Sequence, residues 1–290
     1  AIEVGYDDTH AKLVINDPDN GKRIDKHKFK PFVWFKEDIT NILYGGSRTK
    51  ILNESANSKV KITKLQTTNS DGVEPSRMCT GFKFIATCDG DCNQLIKFFR
   101  GGGVDLFGEE YKHNFIWVSP TEQFMIQSGI RLFKGFEDYD EIHRFQFDLE
   151  TEGLDPKTDG IIQIGVKDNK GFQKIFEISG DNEQNRRDSE RICIIQFFSL
   201  INELMPDIVS GYNSENFDWG FFFDRCDRLS LPIDEIAVGL DGQTPIKRRK
   251  SAVKIGQESE EYMQTLLYGF NVIDISHAVR RAQAINSDIQ

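Results

Sequence analysis

The pattern of hydrophobic and polar positions changes about halfway along the chain. In residues 1–140, short apolar runs alternate with polar turns, which predicts several short strands. These runs are Ala11–Asn16, Pro31–Phe35, Val60–Leu65, Gly81–Cys88 and Phe115–Val118. A helix is predicted at Cys92–Arg100, ended by the glycines at 101–103. We therefore expect residues 1–140 to form a small α+β domain.

Longer elements follow in residues 141–290. Strands are predicted at His143–Glu150, Ile161–Lys167, Gln173–Ile178 and Asp207–Ser210, helices at about Asp188–Met205 and Phe217–Leu229, a hairpin at Ala252–Leu267 and a strand–helix pair at Asn271–Arg281. In the first helix, Ile192, Ile195, Phe198 and Leu204 recur at helical spacing and predict its buried face. Three antiparallel strands followed by alternating helices and strands predict an α/β domain of RNase H-like order.

Composition narrows the class of protein. Hydrophobic residues make up 38% of the chain and include 23 Phe, which is enough for packed cores. No apolar stretch approaches the roughly 20 residues that a membrane helix needs. The five cysteines are scattered and odd in number, as is typical of free thiols in a reducing cytoplasm. We expect a globular cytoplasmic protein with no membrane partner.

The formal net charge is −10, and almost all of it falls in residues 141–290. This acidity argues against a protein that coats duplex DNA with a basic surface. It does not exclude a nucleic-acid enzyme, because bound divalent ions would reverse the local potential.

Two acidic side chains stand out in the first strand of the second domain. Side chains of a strand alternate between its faces, so Asp148 and Glu150 project together while Leu149 points into a core. A solvated strand face is the commoner explanation of such a pair. Here Phe145 and Phe147 occupy the opposite face, which predicts a central strand. Two acids on a central strand need a cation between them.

A third acid, Asp218, ends the pattern Asn213-x-x-x-Phe217-Asp218. It could simply be a first-turn acid that the helix dipole stabilises. The pattern falls, however, where a strand's carboxyl end meets a helix, which is where open α/β sheets place ligands. Asn213 can bond a phosphate or sugar, and Phe217 can pack against a base or within the core. Together the three carboxylates are the oxygen ligands that divalent metals prefer.

A basic run lies further along the chain, at Lys247, Arg248, Arg249 and Lys250. Such a run is usually a solvated loop. In so acidic a half of the chain it is also the best candidate for contact with a phosphate backbone.

These motifs resemble the proofreading exonuclease of family B DNA polymerases, particularly the phage replicative branch of the T4 type. Phe147–Thr151 is similar to the family's first exonuclease motif and Asn213–Asp218 to its second. The similarity extends to Ser119–Phe124 and Leu132–Gly135, before the domain, and to Lys247–Asp274, which looks like the family's basic loop, hairpin and following strand.

The resemblance implies a DnaQ-like 3′→5′ exonuclease of the DEDD kind that uses two divalent ions, Mg²⁺ or Mn²⁺. Asp148, Glu150 and Asp218 would hold the metals, while Leu149, Asn213 and Phe217 would contact the substrate. That substrate would be a single-stranded DNA 3′ end or a primer–template. The implied partners are the remainder of the polymerase chain and, through it, a sliding clamp.

The family's third motif, Y-x-x-x-D, is missing from the sequence. None of the seven tyrosines is followed by an acid four residues later. We therefore expect residues 141–290 to be an exonuclease domain cut before its third motif, with weak or no activity alone. Two alternatives stay open: a self-sufficient nuclease with Asp274 as an unusual fourth ligand, or a non-catalytic module that binds single-stranded nucleic acid.

Overall fold

The computed structural model describes residues 2–17, 21–65, 81–132 and 135–286. The chain divides into two compact units, one of residues 2–14 and 25–134 and the other of residues 1, 15–24 and 135–290. Cys79, and Phe133 and Lys134 of the predicted approach segment, lie outside the described residues. No helix in the described ranges is long and apolar enough to cross a membrane.

The first half of the chain mixes antiparallel strands with short helices. Its elements are β1 (Ile2–Glu3), β2 (His10–Asp17), β3 (Gly21–Lys28), β4 (Phe32–Lys36), α1 (Asp38–Ile42), α2 (Arg48–Asn57), β5 (Val60–Lys64), β6 (Phe82–Cys88), α3 (Cys92–Gly101), β7 (Phe115–Ile116) and α4 (Pro120–Ser128). One sheet has the order β1-β2-β3 and the other β5-β6-β4-β7. Apolar side chains of β4, α3 and β7, among them Phe35, Phe99 and Phe115, fill the core of the four-stranded sheet.

Several of these elements escaped prediction for physical reasons. Helix α2 buries no residue, so it has no apolar stripe to detect. Strand β3 likewise contains no fully buried position. Helix α4 did carry a local signal, because Ser119 and Glu122 form a capping box and Pro120 occupies the first helical position.

The second half contains β8 (Arg144–Thr151), β9 (Ile161–Asp168), β10 (Gln173–Glu177), α5 (Glu183–Leu204), β11 (Ile208–Gly211), α6 (Asp218–Arg228), α7 (Ile233–Ile236), β12 (Lys247–Ile255), β13 (Glu258–Leu266), β14 (Asn271–Asp274) and α8 (Ile275–Ile285). Five strands form one sheet in the order β10-β9-β8-β11-β14. Strand β9 runs antiparallel to β8 and β10, whereas β8, β11 and β14 are parallel. Strand β8 is therefore central, and β12 and β13 form a separate hairpin.

Aromatic packing covers one face of this sheet. Phe147 of β8 lies 4.8 Å, ring centre to ring centre, from Trp219 of α6, and Phe197 of α5 stacks on Phe222 at 4.8 Å. These rings belong to one buried cluster with Phe145. Since alternate residues of β8 point away from this cluster, the opposite face of the strand is left to polar side chains.

Two predictions in this half were wrong, the first of them in part. Of the predicted buried face of α5, Phe198 is buried and Leu204 packs partly buried against the core, but Ile192 and Ile195 are 54% and 38% exposed. The helix also buries Cys193, Ile194, Phe197, Leu200 and Ile201. Apolar residues at helical spacing occur on more than one side of this helix, so periodicity alone did not fix which of them turn inward. The basic run at 247–250 is the start of strand β12, not a loop.

Candidate active site

The first pair of acids lies on the polar face of the central strand. Asp148 pairs with Gly165 of β9, and Glu150 pairs with Gln163. Both acids are exposed, while Leu149 between them is buried, as the alternation predicts. Leu149 therefore contributes to the core through its side chain, and only its main chain faces the neighbouring elements of the site.

Asp148 lines an open groove of about 900 Å³ on this face of the sheet. Gln146, Lys167, Ile175 and Tyr212 contribute to its walls. At Gly165 an added Cβ would have only the main-chain oxygen of Asp148 near it, at 3.9 Å, so the floor beside Asp148 is open. The groove gives a ligand direct access to the Asp148 carboxylate.

Asp218 comes to the same strand from α6. It is the first residue of that helix and is only 3% exposed. Its Oδ1 accepts a hydrogen bond from the main-chain N–H of Leu149 at 3.1 Å. The second predicted motif is thus attached directly to the first, between the two acids of β8.

The electrostatics of Asp218 are those of an acid without a counter-charge. Burial, together with the negative charges of Asp148 and Asp274, raises its pKa to about 6, even though hydrogen bonds from main-chain N–H groups lower it. The charges that act on Asp218 are therefore both negative. Such a carboxylate becomes favourable in its ionised form when a cation approaches.

A divalent cation fits this donor set. Asp148, Glu150 and Asp218 offer only carboxylate oxygens, which hard divalent cations prefer, and Asp148 is close enough to shift the pKa of Asp218. Within the described ranges, no three His, Cys, Asp or Glu side chains are already gathered tightly enough to hold an ion. Metal binding would therefore have to draw these carboxylates together.

The turn between β11 and α6 carries the other residues of the second motif. A Cβ at Gly211 would lie 2.7 Å from the Cβ of Ser214, so the tight exit from β11 requires glycine. Asn213 adopts φ 58°, a left-handed conformation that Asn tolerates better than most residues. Its exposed side chain accepts a hydrogen bond from Asn216 at 3.0 Å. Phe217 is partly buried and packs on Phe221 at 5.4 Å, so it belongs at least in part to the core.

Asp274 serves this turn as an anchor. Its Oδ1 accepts hydrogen bonds from the N–H groups of Asn213 and Ser276, each at 2.9 Å, and its Oδ2 accepts one from Glu215 at 3.0 Å. The side chain also caps α8 and is 5% exposed. Three main-chain donors already occupy its oxygens, which disfavours Asp274 as a fourth metal ligand.

The basic run presents its side chains in different directions. Lys247, Arg249 and Lys250 are exposed, and Arg249 bonds Gln264 on the neighbouring strand at 3.2 Å. Arg248 turns inward, where its guanidinium donates to the main-chain oxygens of Glu215 and Met263. Three cations of the run are thus accessible to solvent.

Sequence reasoning missed two contributors to this region. Glu215 is 3% exposed and bonds Thr265 of β13, and Tyr212 is 62% exposed beside the groove. Glu215 is an acid inside a motif already singled out, so its type and position were a usable signal. Its burial was not visible, because its partner lies 50 residues away.

Known proteins resemble the chain over this same region. Residues 130–287 match the family model described as DNA polymerase family B, exonuclease domain. A DNA polymerase from Archaeoglobus fulgidus is 35% identical over 115 residues, which are 38% of this chain and 13% of that protein. A DNA polymerase from Pyrococcus glycovorans is 29% identical over 150 residues, which are 50% of this chain and 18% of that protein.

A solved structure of the family B DNA polymerase from Pyrobaculum calidifontis has a similar fold. The TM-score is 0.58 at 15% identity, and the match covers 95% of this chain and 36% of that one. The chain thus spans less than a fifth of the length of the two polymerases matched by sequence and about a third of the solved one.

These relatives are archaeal, so they do not support the predicted placement in the T4-like phage branch. The family model covers more than half of the chain and contains every predicted site residue. The exonuclease domain of this family is a metal-dependent nuclease, and membership implies the RNase H-like fold that the sequence predicted. The chain belongs to DNA polymerase family B and contains the exonuclease domain of that family.

Proposed function

We propose that this chain contributes the proofreading 3′→5′ exonuclease of a longer DNA polymerase, and that Asp148, Glu150 and Asp218 hold two divalent ions, Mg²⁺ or Mn²⁺. The observation that carries the proposal is the hydrogen bond from Leu149 to Asp218. It joins residues 69 apart in the sequence and brings the acids of two motifs to one strand. Residues 1–140 and 141–290 would be separate domains, which the division of the fold near Gly135 supports except for residues 15–24, which group with the second unit.

Divalent ions bound here would lower the pKa of a water molecule and neutralise charge on the phosphate under attack. The protein supplies the placement. Asp148 and Glu150 project from a strand whose other face is packed, so their main chain is rigid. Asp218 is held by the N–H of Leu149. The raised pKa of Asp218 shows that its ionised form is disfavoured when no cation is present, and a bound cation would remove that penalty.

The substrate would be the 3′ end of single-stranded DNA, either free or unpaired from a primer–template. Asn213 presents an exposed amide at the edge of the site for a phosphate or sugar. Phe217 would support a base while packing beneath the turn. Lys247, Arg249 and Lys250 are placed for backbone contacts that carry no sequence information.

The remaining partners follow from the family. The rest of the polymerase chain, and a sliding clamp acting through it, are proposed as partners of the whole protein. The sequence contains no Y-x-x-x-D motif, so we propose that these 290 residues hold three of the four metal-binding acids and cleave DNA weakly or not at all.

Binding of a fluorescein-labelled single-stranded oligonucleotide tests this function against a non-catalytic binding module. Fluorescence anisotropy is measured with Mn²⁺ and with EDTA, for the native chain and Asp148→Asn. We expect Mn²⁺ to tighten binding in the native chain and to have little effect in the variant. Equal affinity in all four conditions would show a module that grips DNA without a metal and would refute the proposal.

A further inference from the structure

One buried carboxylate in the second motif plays no part in the proposed metal site. Glu215 is 3% exposed and lies between Asn213 and Phe217. Its Oε1 and Oε2 accept the main-chain N–H of Thr265 at 2.8 and 3.0 Å, and Oε2 also accepts the Thr265 hydroxyl at 2.6 Å. Thr265 is 1% exposed and stands near the end of β13. The side chain of Glu215 therefore fastens the turn before α6 to the base of the β12–β13 hairpin.

The main chain of Glu215 makes two further bonds. Its N–H donates to Asp274 Oδ2 at 3.0 Å, and its carbonyl oxygen accepts from the guanidinium of Arg248. Arg248 lies on β12, and Asp274 joins β14 to α8. One residue is thus tied to both strands of the hairpin and to the edge of the sheet.

The packing around this network leaves it little freedom. A Cβ at Gly220 of α6 would lie 3.0 Å from Nη1 of Arg248, so the guanidinium lies against the helix that begins at Asp218. The Arg248 Nη2 is 4.0 Å from the carboxylate of Glu215. Arg248 therefore contacts both Glu215 and helix α6, whose first residue is Asp218.

Stability alone is a poor reason for this arrangement. A buried acid paired with a cation 4.0 Å away seldom stabilises a fold more than well-packed apolar residues would. Both carboxylate oxygens of Glu215 are nevertheless hydrogen-bonded, although the buried Nε of Arg248 is not. Buried groups bonded in this way are held in one geometry. Groups that orient metal ligands commonly change metal affinity by 10-fold to 100-fold when removed.

We propose that Glu215 is a positioning residue that fixes the Asn213–Asp218 turn, and with it the Asp218 carboxylate, to the base of the β12–β13 hairpin. The proposal rests on the proposed function in taking Asp218 as a metal ligand. Lys247, Arg249 and Lys250 lie on the strand that Glu215 reaches through Arg248.

The test compares three threonine variants in the 290-residue chain. Thr265→Val keeps the shape but removes the hydroxyl donor to Glu215, and Thr265→Ser keeps that donor. Thr244→Val is the matched control, because the Thr244 hydroxyl donates to Asp241 at the same 2.6 Å in an exposed turn. Circular dichroism establishes that each variant is folded.

Two readouts are measured. The first is Tb³⁺ binding, detected by luminescence excited through tryptophan, since Trp219 follows Asp218 directly. The second is hydrogen exchange of the amides of residues 213–219 without metal. We expect Thr265→Val to weaken Tb³⁺ binding about tenfold and to speed this exchange, while Thr265→Ser and Thr244→Val stay near the native chain.

The outcomes separate the two proposals. The main-chain N–H of residue 265 still bonds the Glu215 carboxylate in Thr265→Val, so Glu215→Gln is measured beside it. Native Tb³⁺ affinity and native exchange in both folded variants overturn the positioning role of Glu215. A native chain that does not bind Tb³⁺ contradicts the proposed metal site, and the exchange measurement then still decides whether Glu215 holds the turn. If Thr265→Val does not fold, Glu215→Gln, in which the side chain keeps nearly the same size, is used alone. It is likewise expected to weaken Tb³⁺ binding and to speed the exchange of residues 213–219.

Discussion

The N–H of Leu149 and the carboxylate of Asp218 form a hydrogen bond of 3.1 Å between the central strand and helix α6. Leu149 stands between Asp148 and Glu150, so this bond places the third acid beside the first two. Asp218 is buried there without a neutralising partner charge. The bond itself favours the ionised carboxylate, but burial and the charges of Asp148 and Asp274 outweigh it, so ionisation is costly when no cation is bound.

That cost predicts a pH-dependent effect of Asp218→Asn on stability. The pKa of Asp218 is raised from 3.8 to about 6 in the folded protein, so the fold binds this proton more tightly than the unfolded chain does. The resulting stabilisation is complete below about pH 4 and is lost as the pH rises through 6. In EDTA, Asp218→Asn should therefore stabilise the protein by about 2–3 kcal/mol at pH 7.5 and have little effect near pH 4.

Urea unfolding at the two pH values measures this difference. Added Mn²⁺ should reduce it at pH 7.5, because the ion binds the folded native chain and not the variant. The same gain in stability at both pH values would mean that ionisation of Asp218 carries no penalty.

A second prediction concerns the buried ion pair of Glu190 on α5 and Arg225 on α6. The guanidinium donates to both carboxylate oxygens, at 2.7 and 2.6 Å, and Glu190 Oε1 also accepts the N–H of Ile161 at 3.1 Å. Arg225→Met leaves a buried, unpaired carboxylate and should cost about 3–5 kcal/mol. Replacing both residues, with Glu190→Gln added, should recover part of that loss.

The control is the more accessible pair of Arg280 and Glu260, whose side chains are 41% and 38% exposed. Arg280→Met should cost less than about 1 kcal/mol, since exposed ion pairs contribute little to stability. Urea unfolding of the variants measures both costs. Similar losses of unfolding free energy in Arg225→Met and Arg280→Met would contradict the claim that burial makes the Glu190–Arg225 pair the costlier one to break.

A third prediction tests the outward cations of β12. Lys250 is exposed, so Lys250→Gln should leave the melting temperature unchanged. Losing one phosphate contact should weaken single-stranded DNA binding and reduce the slope of log K against log salt by about 0.7. Lys61→Gln on β5 is the charge-matched control, because Lys61 is also an exposed strand lysine. Equal slopes for the two variants would place the DNA elsewhere.

The sequence was most informative where the spacing of apolar residues fitted only one arrangement of an element. In β8, large aromatic residues and acids alternate, so the strand, its buried face and the shared side of Asp148 and Glu150 could all be predicted. In α5, several sets of apolar positions fit the helical period, so the pattern correctly predicted that Phe198 is buried but wrongly predicted the same for Ile192 and Ile195. Only the packing of α5 on the sheet decides which apolar positions turn inward.

Contacts between distant segments lay beyond sequence reasoning. Asp218 was identified from its motif, but its bond to Leu149 depends on how α6 packs against β8. The bond of Glu215 to Thr265 likewise depends on the hairpin folding back to the turn. The bonds of Asp274 to three main-chain N–H groups, which leave it poorly suited as a fourth ligand, follow from the pairing of β11 with β14.

Binding of Mn²⁺ to the 290-residue chain, followed by the loss of the free-ion electron paramagnetic resonance signal, tests the central claim most directly. The native chain is compared with Asp148→Asn, Glu150→Gln and Asp218→Asn, and with Asp188→Asn as an exposed acid of α5 outside the site. We predict that the native chain and Asp188→Asn bind Mn²⁺ alike and that each of the three site variants binds at least tenfold more weakly. Equal Mn²⁺ binding by all five proteins would contradict the assignment of Asp148, Glu150 and Asp218 as metal ligands.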